Sequence, residues 1–184
     1  MGKTFAEKIL GRAAGRPVSA GDIVIVKPDF CMSHENASAV SKTFKKIGLE
    51  RVFDPNRIVI VFDHTVPAST ADYALSQKVT REFVREQGIT HFYDMNCCGG
   101  ICHQIMCQEG YAVPGALIVG TDSHTCTHGA FGAFATGIGR SEMAAVWATG
   151  EIWLSVPETI KITVDGHFPR GVYALSLIHI SEPT

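Results

Sequence analysis

Short apolar runs alternate along the chain with segments whose apolar residues recur every three or four positions. The apolar runs have the length of buried strands, and the periodic segments have the spacing of amphipathic helices. The predicted strands cover residues 22–26, 57–62, 91–94, 116–119 and 159–164, and the predicted helices cover residues 4–15, 36–47, 70–87, 101–109 and 141–148. Continuous apolar strands that alternate with helices predict an α/β fold, in which three α/β/α layers surround a mostly parallel sheet.

The last ten residues, 175–184, differ in character from the rest of the chain. No turn signal joins them to the preceding segment, and they resemble a translated sequencing-adapter sequence. We therefore interpret residues 1–174 as one domain and residues 175–184 as a non-native tail. A genuine C-terminal strand is the alternative.

The composition and charge of the chain favour a globular protein that binds a small molecule. The chain has 184 residues, of which 46% are hydrophobic and 18% charged, and this suffices for one globular domain. A net charge of −2 provides no basic patch for nucleic acid or an anionic membrane, so a small-molecule partner is favoured. The N-terminal segment lacks the apolar core of a signal peptide, and no run is long enough to span a bilayer. We therefore expect a cytoplasmic location, where the six cysteines would be reduced.

The densest group of reactive side chains follows the predicted strand 116–119. Between Gly120 and Gly129 the chain combines a carboxylate, hydroxyls, a thiol and two imidazoles. Ligands of open α/β sheets bind beyond the carboxyl ends of the strands, where this segment begins. Asp122 could orient a neighbouring imidazole, Ser123 could donate to a substrate oxygen, and His124 could act as an acid or base.

Two further imidazoles occupy similar positions. Asp63 and His64 directly follow the strand 57–62, and His103 begins a predicted short helix after two glycines. A parallel sheet would bring these side chains into one crevice with the segment after Gly120. In the alternative interpretation, Asp63 caps a turn and the histidines are ordinary surface residues. The predicted catalytic residues are Asp63, His64, His103, Asp122 and His124.

The cysteines form no strong metal-binding signature. Cys97, Cys98 and Cys102 lack paired Cys-x-x-Cys spacing, so we assign no metal ligand within this chain. A thiol- or metal-binding module that uses Cys97, Cys98, Cys102 and His124 is the non-enzymatic alternative. A hydrolase with Ser123 as nucleophile is disfavoured because the Gly-x-Ser-x-Gly elbow is missing.

A glycine-rich run, residues 129–139, precedes the last predicted helix. Free N–H groups at a helix N-terminus attract anions, so a substrate carboxylate could dock nearby. The run lacks the Gly-Lys-Ser/Thr ending of a P-loop, and close packing of a helix on the sheet would explain most of its glycines.

Taken together, these motifs resemble the aconitase superfamily, and within it the large subunits of 3-isopropylmalate dehydratase, homoaconitase and dimethylmalate dehydratase. The resemblance covers residues 1–174 and is carried by Phe62-Asp63-His64, Gly100-Ile101-Cys102-His103-Gln104, Pro114-Gly115 and Gly120-Thr121-Asp122-Ser123-His124. It implies an incomplete aconitase-type domain of a hydro-lyase that removes and re-adds water on a hydroxy di- or tricarboxylic acid. The implied enzyme is 3-isopropylmalate dehydratase of leucine biosynthesis, with homoaconitase, aconitase or 2,3-dimethylmalate dehydratase as alternatives.

The resemblance also implies roles for individual residues. His64, oriented by Asp63, would protonate the leaving hydroxyl, and His103 would form a second imidazole–carboxylate pair with Asp122. Glu35 and Asn36 fall where relatives carry a helix-start motif that meets substrate, although the local sequence departs from that motif. The residues assigned to the substrate pocket are Ser123, His124, Glu35 and Asn36.

Members of the superfamily use a [4Fe–4S] cluster that is held by three cysteines, and one iron binds the substrate. These cysteines, one isolated and two in a later Cys-x-x-Cys pair, lie further along than residue 184, and no residue of this chain matches them. In two-subunit relatives, a small swivelling-domain subunit supplies a serine base and a substrate-binding arginine. The resemblance therefore predicts a small subunit and a hydroxy-acid substrate as partners, and a chain that is inactive by itself.

Overall fold

The computed structural model describes residues 2–95 and 98–174. The helices in these two ranges are α1 (Phe5–Ala13), α2 (Ala37–Ile47), α3 (Ala71–Gln87), α4 (Cys102–Gln108) and α5 (Arg140–Thr149). The strands are β1 (Ile23–Val26), β2 (Phe30–Ser33), β3 (Ile58–Val61), β4 (His91–Tyr93), β5 (Leu117–Gly120), β6 (Phe134–Gly137) and β7 (Ile152–Ser155). Two 3₁₀ helices cover Pro55–Arg57 and Ser123–Phe131.

Five strands form a parallel sheet in the order β4-β3-β2-β5-β6. Strands β2, β3 and β5 are the central three and are almost entirely buried. All five strands run in the same direction, so their carboxyl ends meet at one edge. The predicted fold class, an α/β domain with a mostly parallel sheet, is confirmed.

Helices cover both faces of this sheet. On one face, α2, α3 and α5 pack around Phe44, Phe83 and Trp147, and the Phe83 and Trp147 rings stack with centroids 5.4 Å apart. On the other face, α4 packs Ile105 and Met106 against alternate residues of the same strands. Side chains of a strand alternate between faces, so a strand that is covered on both sides must be apolar throughout.

Strands β1 and β7 form a separate antiparallel pair with the register Ile25 opposite Trp153. The sequence predicted a fully buried strand at residues 22–26, and this was wrong for half of its side chains. Val24 and Val26 pack against α1, whereas Ile23 and Ile25 are 65% and 66% exposed. Residues 159–164, which were predicted as a strand, have no regular structure, and the last strand in the described part of the chain is β7.

Three strands were missing from the prediction: β7, described above, and β2 and β6 of the parallel sheet. β2 has the sequence Phe-Cys-Met-Ser and β6 has the sequence Phe-Ala-Thr-Gly. Neither shows the β-branched run that marks β3 and β5. β6 also lies inside the glycine-rich segment, residues 129–139, to which the sequence analysis assigned no strand.

Two expectations about the chain as a whole have different outcomes. Within the described ranges, no helix is both long and apolar enough to cross a bilayer. The division into a domain over 1–174 and a non-native tail stays a prediction, since residues 175–184 lie outside the part of the chain that is described.

Candidate active site

The candidate catalytic residues lie at the carboxyl edge of the parallel sheet. β2 lies between β3 and β5, with Ser33 paired to Ile60 and Met32 paired to Gly120. The residues that follow these three strands therefore emerge side by side. α4 packs below this edge and adds His103 from its first turn.

Asp122 is the centre of the group. Its Oδ1 accepts from Nε2 of His103 at 2.9 Å and lies 3.4 Å from Nδ1 of His124, while its Oδ2 lies 3.4 Å from Nε2 of His64. Burial acts to raise the pKa of Asp122, but the amide of His124 and the ring of His103 outweigh it, and the net pKa is lowered. The carboxylate is thus ionised at neutral pH, where it can stabilise positive charge on three imidazoles.

His103 is held on both sides. Its Nε2 donates to Asp122, and its Nδ1 lies 3.4 Å from Nε2 of His128. His128 is fully buried, and desolvation together with His103 lowers its pKa to about 4. His128 is therefore neutral near pH 7, and a proton on its Nε2 would point at Nδ1 of His103.

His64 is half-exposed, with 47% of its side chain accessible, whereas His103 is more buried and His124 is more exposed. Its Nδ1 lies 3.8 Å from Asp63 and 4.0 Å from Glu35, so Asp122 is the nearest of the three carboxylates. Asp63 accepts instead from the backbone N–H of Cys102 at 2.6 Å. Asp63 thus ties the start of α4 to the end of β3.

Glu35 lies beneath His64 with only 7% of its side chain exposed. Its Oε1 accepts from the backbone N–H groups of Asp63 at 2.7 Å and Thr65 at 2.9 Å. Burial opposes ionisation, but His34 and the N–H of Thr65 outweigh it and lower the pKa of Glu35 to about 2. The carboxylate is charged and fixes the backbone on both sides of His64.

Asn36 links β2 to the turn after β5. Its amide N–H₂ donates to the carbonyl of Thr121 at 3.1 Å, and its Oδ1 accepts from the Thr121 hydroxyl at 2.7 Å. The same amide lies 2.9 Å from Nε2 of His34. Because an amide N–H₂ only donates, the ring proton of His34 is on Nδ1, facing Glu35. Substrate contacts of Glu35 and Asn36 remain predictions, because the contacts seen here are internal.

Ser123 and His124 begin the 3₁₀ helix and are exposed, and the side chain of His124 is 80% exposed. The turn that presents them depends on close backbone approach. Thr125 is buried and its hydroxyl donates to the Asp122 carbonyl at 2.6 Å. A Cβ on Gly120 would overlap this hydroxyl, so glycine is required at the end of β5.

The sequence prediction missed two histidines that belong to this group. His34 follows β2, a strand that was not predicted, and its ring stacks on His64 with centroids 4.2 Å apart. His128 entered the sequence analysis only as one of the two imidazoles between Gly120 and Gly129, with no role of its own. The structure turns His124 to solvent and His128 to the core.

We tested whether the thiols present fit an iron–sulfur cluster. Cys31 packs on the α2 face of the sheet, where burial raises its pKa to about 12. Cys102 packs on the α4 face, and burial and Asp63 raise its pKa as well. Two fully buried thiols on opposite faces cannot share a cluster. The other described cysteines, Cys98, Cys107 and Cys126, belong to no group of three close metal-ligating side chains, so the described thiols do not fit a [4Fe–4S] group.

The described residues do not support the alternative of a thiol- or metal-binding module either. Cys97 lies outside them, and no set of three close metal-ligating atoms there includes a cysteine. The two sets that do occur are His34, Glu35 and His64, and His103, Asp122 and His124, each with its ligand atoms within 4.8 Å of one another. Nitrogen and carboxylate atoms, and not thiols, are concentrated at this edge.

A carboxylate that holds three imidazoles at the strand ends of an α/β sheet defines a site for acid–base chemistry. Comparison with known proteins assigns the chain to a family. The model of the aconitase family (aconitate hydratase) matches residues 7–180. The chain belongs to the aconitase family, and the resemblance found in the sequence is confirmed.

Similar proteins are large subunits. The chain is 52% identical over 179 residues to the 3-isopropylmalate dehydratase large subunit 1 of Methanopyrus kandleri, covering 97% of this chain and 42% of that protein. It is 51% identical over 180 residues to a probable methanogen homoaconitase large subunit of Methanothermobacter thermautotrophicus, covering 95% and 42%. The 3-isopropylmalate dehydratase large subunit 1 of Pyrococcus furiosus is 47% identical, with coverage of 96% and 42%. The chain thus spans about two fifths of the length of these relatives.

Proposed function

We propose that this chain forms one wall of the active site of a hydro-lyase, which isomerises a hydroxy di- or tricarboxylic acid by dehydration and rehydration. The observation that carries the proposal is the ionised carboxylate of Asp122 with three imidazoles within 3.4 Å. Hydroxide is a poor leaving group, so its departure needs a proton donor, and the proton beside a substrate carboxylate needs a base. This cluster supplies proton-transfer groups of that kind.

His64 is the proton donor in this proposal. Its exposed ring can reach a bound hydroxyl group, and Nε2 is 3.4 Å from the charged Asp122. The negative charge of Asp122 faces the ring, and a protonated imidazole in this position can give its proton to the departing oxygen. Glu35 supports this role from below, because it fixes the backbone amides of Asp63 and Thr65 on either side of His64.

His103 acts through Asp122. With Nε2 donating to Asp122 and Nδ1 facing the buried His128, neither ring nitrogen points to open space. We assign His103 to holding the position and charge of Asp122, and Ser123 and His124 to the open side of the pocket, where substrate would be bound.

The activity we propose is that of 3-isopropylmalate dehydratase, with 3-isopropylmalate as the substrate. The alternatives are the activities of homoaconitase, aconitase and 2,3-dimethylmalate dehydratase. The names of the similar proteins support this choice, and the term large subunit in those names supports a small-subunit partner. The aconitase family generally depends on a [4Fe–4S] cluster. Since the described thiols do not fit that group, we propose that other parts of the full-length protein carry it and that this chain has no turnover alone. The cytoplasmic location remains a prediction.

The test uses the full-length large subunit that contains this chain, assembled with its small subunit and reconstituted anaerobically with iron and sulfide. We expect interconversion of 2- and 3-isopropylmalate, and we expect His64→Ala to lower kcat by about 10²- to 10⁴-fold, the usual contribution of a general acid. His91→Gln is the matched control because His91 begins β4, at the opposite edge of the sheet. Full turnover in His64→Ala would reject the proton donor, and no turnover by the unmodified complex on any of the named substrates would reject the proposed function.

A further inference from the structure

A cavity of about 410 Å³ opens beside the candidate active site, between α2, α3 and the start of α5. His34, Glu35 and His64 form its inner wall, and Lys42, Tyr73 and Arg140 lie among the residues of its outer wall. His64 belongs to both spaces, since Nε2 of the same ring lies 3.4 Å from Asp122. A ligand in this cavity would therefore lie beside the ring of His64, the proposed proton donor.

The outer wall carries positive charge that the protein does not neutralise. Within the described residues, neither Lys42 nor Arg140 makes an ion pair or a side-chain hydrogen bond. Most other lysines and arginines of the folded region do have such a partner, for example Lys45 with Glu86 at 2.8 Å and Arg81 with Asp94 at 2.6 Å. Two unpaired cations that line one cavity favour an anionic ligand.

The single fixed negative charge of the cavity wall does not cancel these cations. Oε1 of Glu35 is occupied by the two backbone N–H groups, and Oε2 faces Nδ1 of His34 at 3.4 Å and Nδ1 of His64 at 4.0 Å. The charge of Glu35 is thus directed at the inner wall.

The outer wall also offers neutral donors. The hydroxyl groups of Tyr73 and Ser76 line the cavity and have no side-chain hydrogen-bond partner among the described residues. Two cations and two hydroxyl donors on one side, with an imidazole on the other, match a small acid that has a carboxylate at one end and a hydroxyl group near the middle.

From these observations we infer that the cavity binds one carboxylate of the substrate, with Lys42 and Arg140 as its charge partners. The inference rests on the proposed function for the choice of a hydroxy dicarboxylate. The bound acid would place its distal carboxylate between the two cations, and its hydroxyl-bearing carbon would lie at the shared wall formed by His64. Lys42 and Arg140 are then substrate-binding residues that the motifs at the strand ends do not reveal.

The test measures binding to the 184-residue chain itself and needs no turnover. The probe is 2-isopropylmalate, titrated by calorimetry and by NMR shifts of the histidine rings. We expect Lys42→Ala and Arg140→Ala each to raise Kd about fivefold and the double variant about twentyfold, since each removes one charge-assisted contact. Lys42→Arg should restore most of the affinity because it keeps the charge.

Two controls separate this site from general charge effects. Lys46→Ala removes an exposed and unpaired cation from the same helix, outside the cavity lining, and should leave Kd unchanged. The monocarboxylate 2-hydroxy-2,3-dimethylbutanoate lacks the distal carboxylate and should bind at least tenfold more weakly to the unmodified chain, with no further loss in the double variant.

Three results would overturn the inference: no binding of 2-isopropylmalate at millimolar concentration, equal affinity for the two acids, or an unchanged Kd in the double variant while circular dichroism shows it folded. These outcomes can be distinguished from failure of the proposed function. A site that depends on Lys42 and Arg140 in a protein without hydro-lyase turnover would reject the function and leave the carboxylate site standing.

Discussion

Asp122 and Glu35 are both carboxylates that lie close to the ring of His64 and to other imidazoles. They differ in the groups that they accept hydrogen bonds from. Asp122 receives one backbone N–H, from His124, and directs its remaining contacts at three imidazoles. Glu35 receives two backbone N–H groups from the turn after β3 and is more deeply buried. Both have a lowered pKa, but the causes differ: His124 and His103 for Asp122, and His34 with Thr65 for Glu35.

The difference is between a carboxylate that stabilises the fold, Glu35, and one to which we assign a role in proton transfer, Asp122. A group that satisfies buried backbone amides cannot be released without leaving those amides unpaired. A group whose partners are side chains can gain or lose a contact as the charge on an imidazole changes. On this reasoning the backbone around His64 depends on Glu35, and the proposed proton-transfer chemistry depends on Asp122.

The largest effect on stability is expected from Glu35→Ala, which tests whether Glu35 stabilises the fold. It leaves the N–H groups of Asp63 and Thr65 without their acceptor, and we expect a loss of roughly 4 kcal/mol in the free energy of unfolding, about 2 kcal/mol for each amide. Urea denaturation of the 184-residue chain at pH 7 measures the change. Glu35→Gln keeps one acceptor oxygen and should cost about 1 kcal/mol.

The exposed Glu50→Ala serves as the control and should change stability by less than about 0.5 kcal/mol. If Glu35→Ala proved as stable as the control, Glu35 would not be a structural carboxylate, and its role as a substrate ligand would regain support.

The strand-end motifs could be predicted from the sequence because they depend on local signals. Apolar runs at β3 and β5 marked two central strands, and the polar residues directly after them marked the reactive edge. Parallel strands bring such ends together by geometry alone, so the grouping of His64, His103 and Asp122 followed without any knowledge of the packing.

The supporting residues could not be predicted in the same way. His34 follows β2, whose four residues include a cysteine, a methionine and a serine, and so carry no β-branched signal. Burial of His128 depends on the path of a 3₁₀ helix that periodicity does not detect. The partners of Glu35 are backbone amides about thirty positions away, and a sequence contains no local trace of such contacts.

Acid titration tests the interior of the Asp122 group. His128 takes up a proton near pH 6.5 when unfolded but only at about pH 4 when folded, so the unfolded chain binds more protons between these values. The contribution of His128 to stability is complete above pH 6.5 and is lost as the pH falls to 4. We expect this to remove roughly 3 kcal/mol over that window.

Urea denaturation at pH 7.5, 5.5 and 4 provides the measurement, with His128→Gln as the comparison. The variant should be less stable at pH 7.5 but should lose clearly less stability on acidification. Parallel pH dependence in the two proteins would show that the buried imidazole is not the titrating group.

The smallest effect is expected from His124, which shares a 3₁₀ helix with His128. Its ring is 80% exposed, and its contact with Asp122 is an ion contact of 3.4 Å in solvent. The contact that Asp122 makes to the backbone N–H of residue 124 survives substitution. His124→Ala should therefore change the free energy of unfolding by less than about 0.5 kcal/mol, whereas His128→Ala should cost about 2 kcal/mol or more through the cavity it leaves.

Thermal or urea unfolding of the two variants at pH 7.5 compares two histidines four positions apart on one short helix. If both variants lost the same free energy of unfolding, the exposed contact of Asp122 with His124 would contribute to stability as much as the buried His128 does. The distinction drawn between Asp122 and Glu35 would then be wrong.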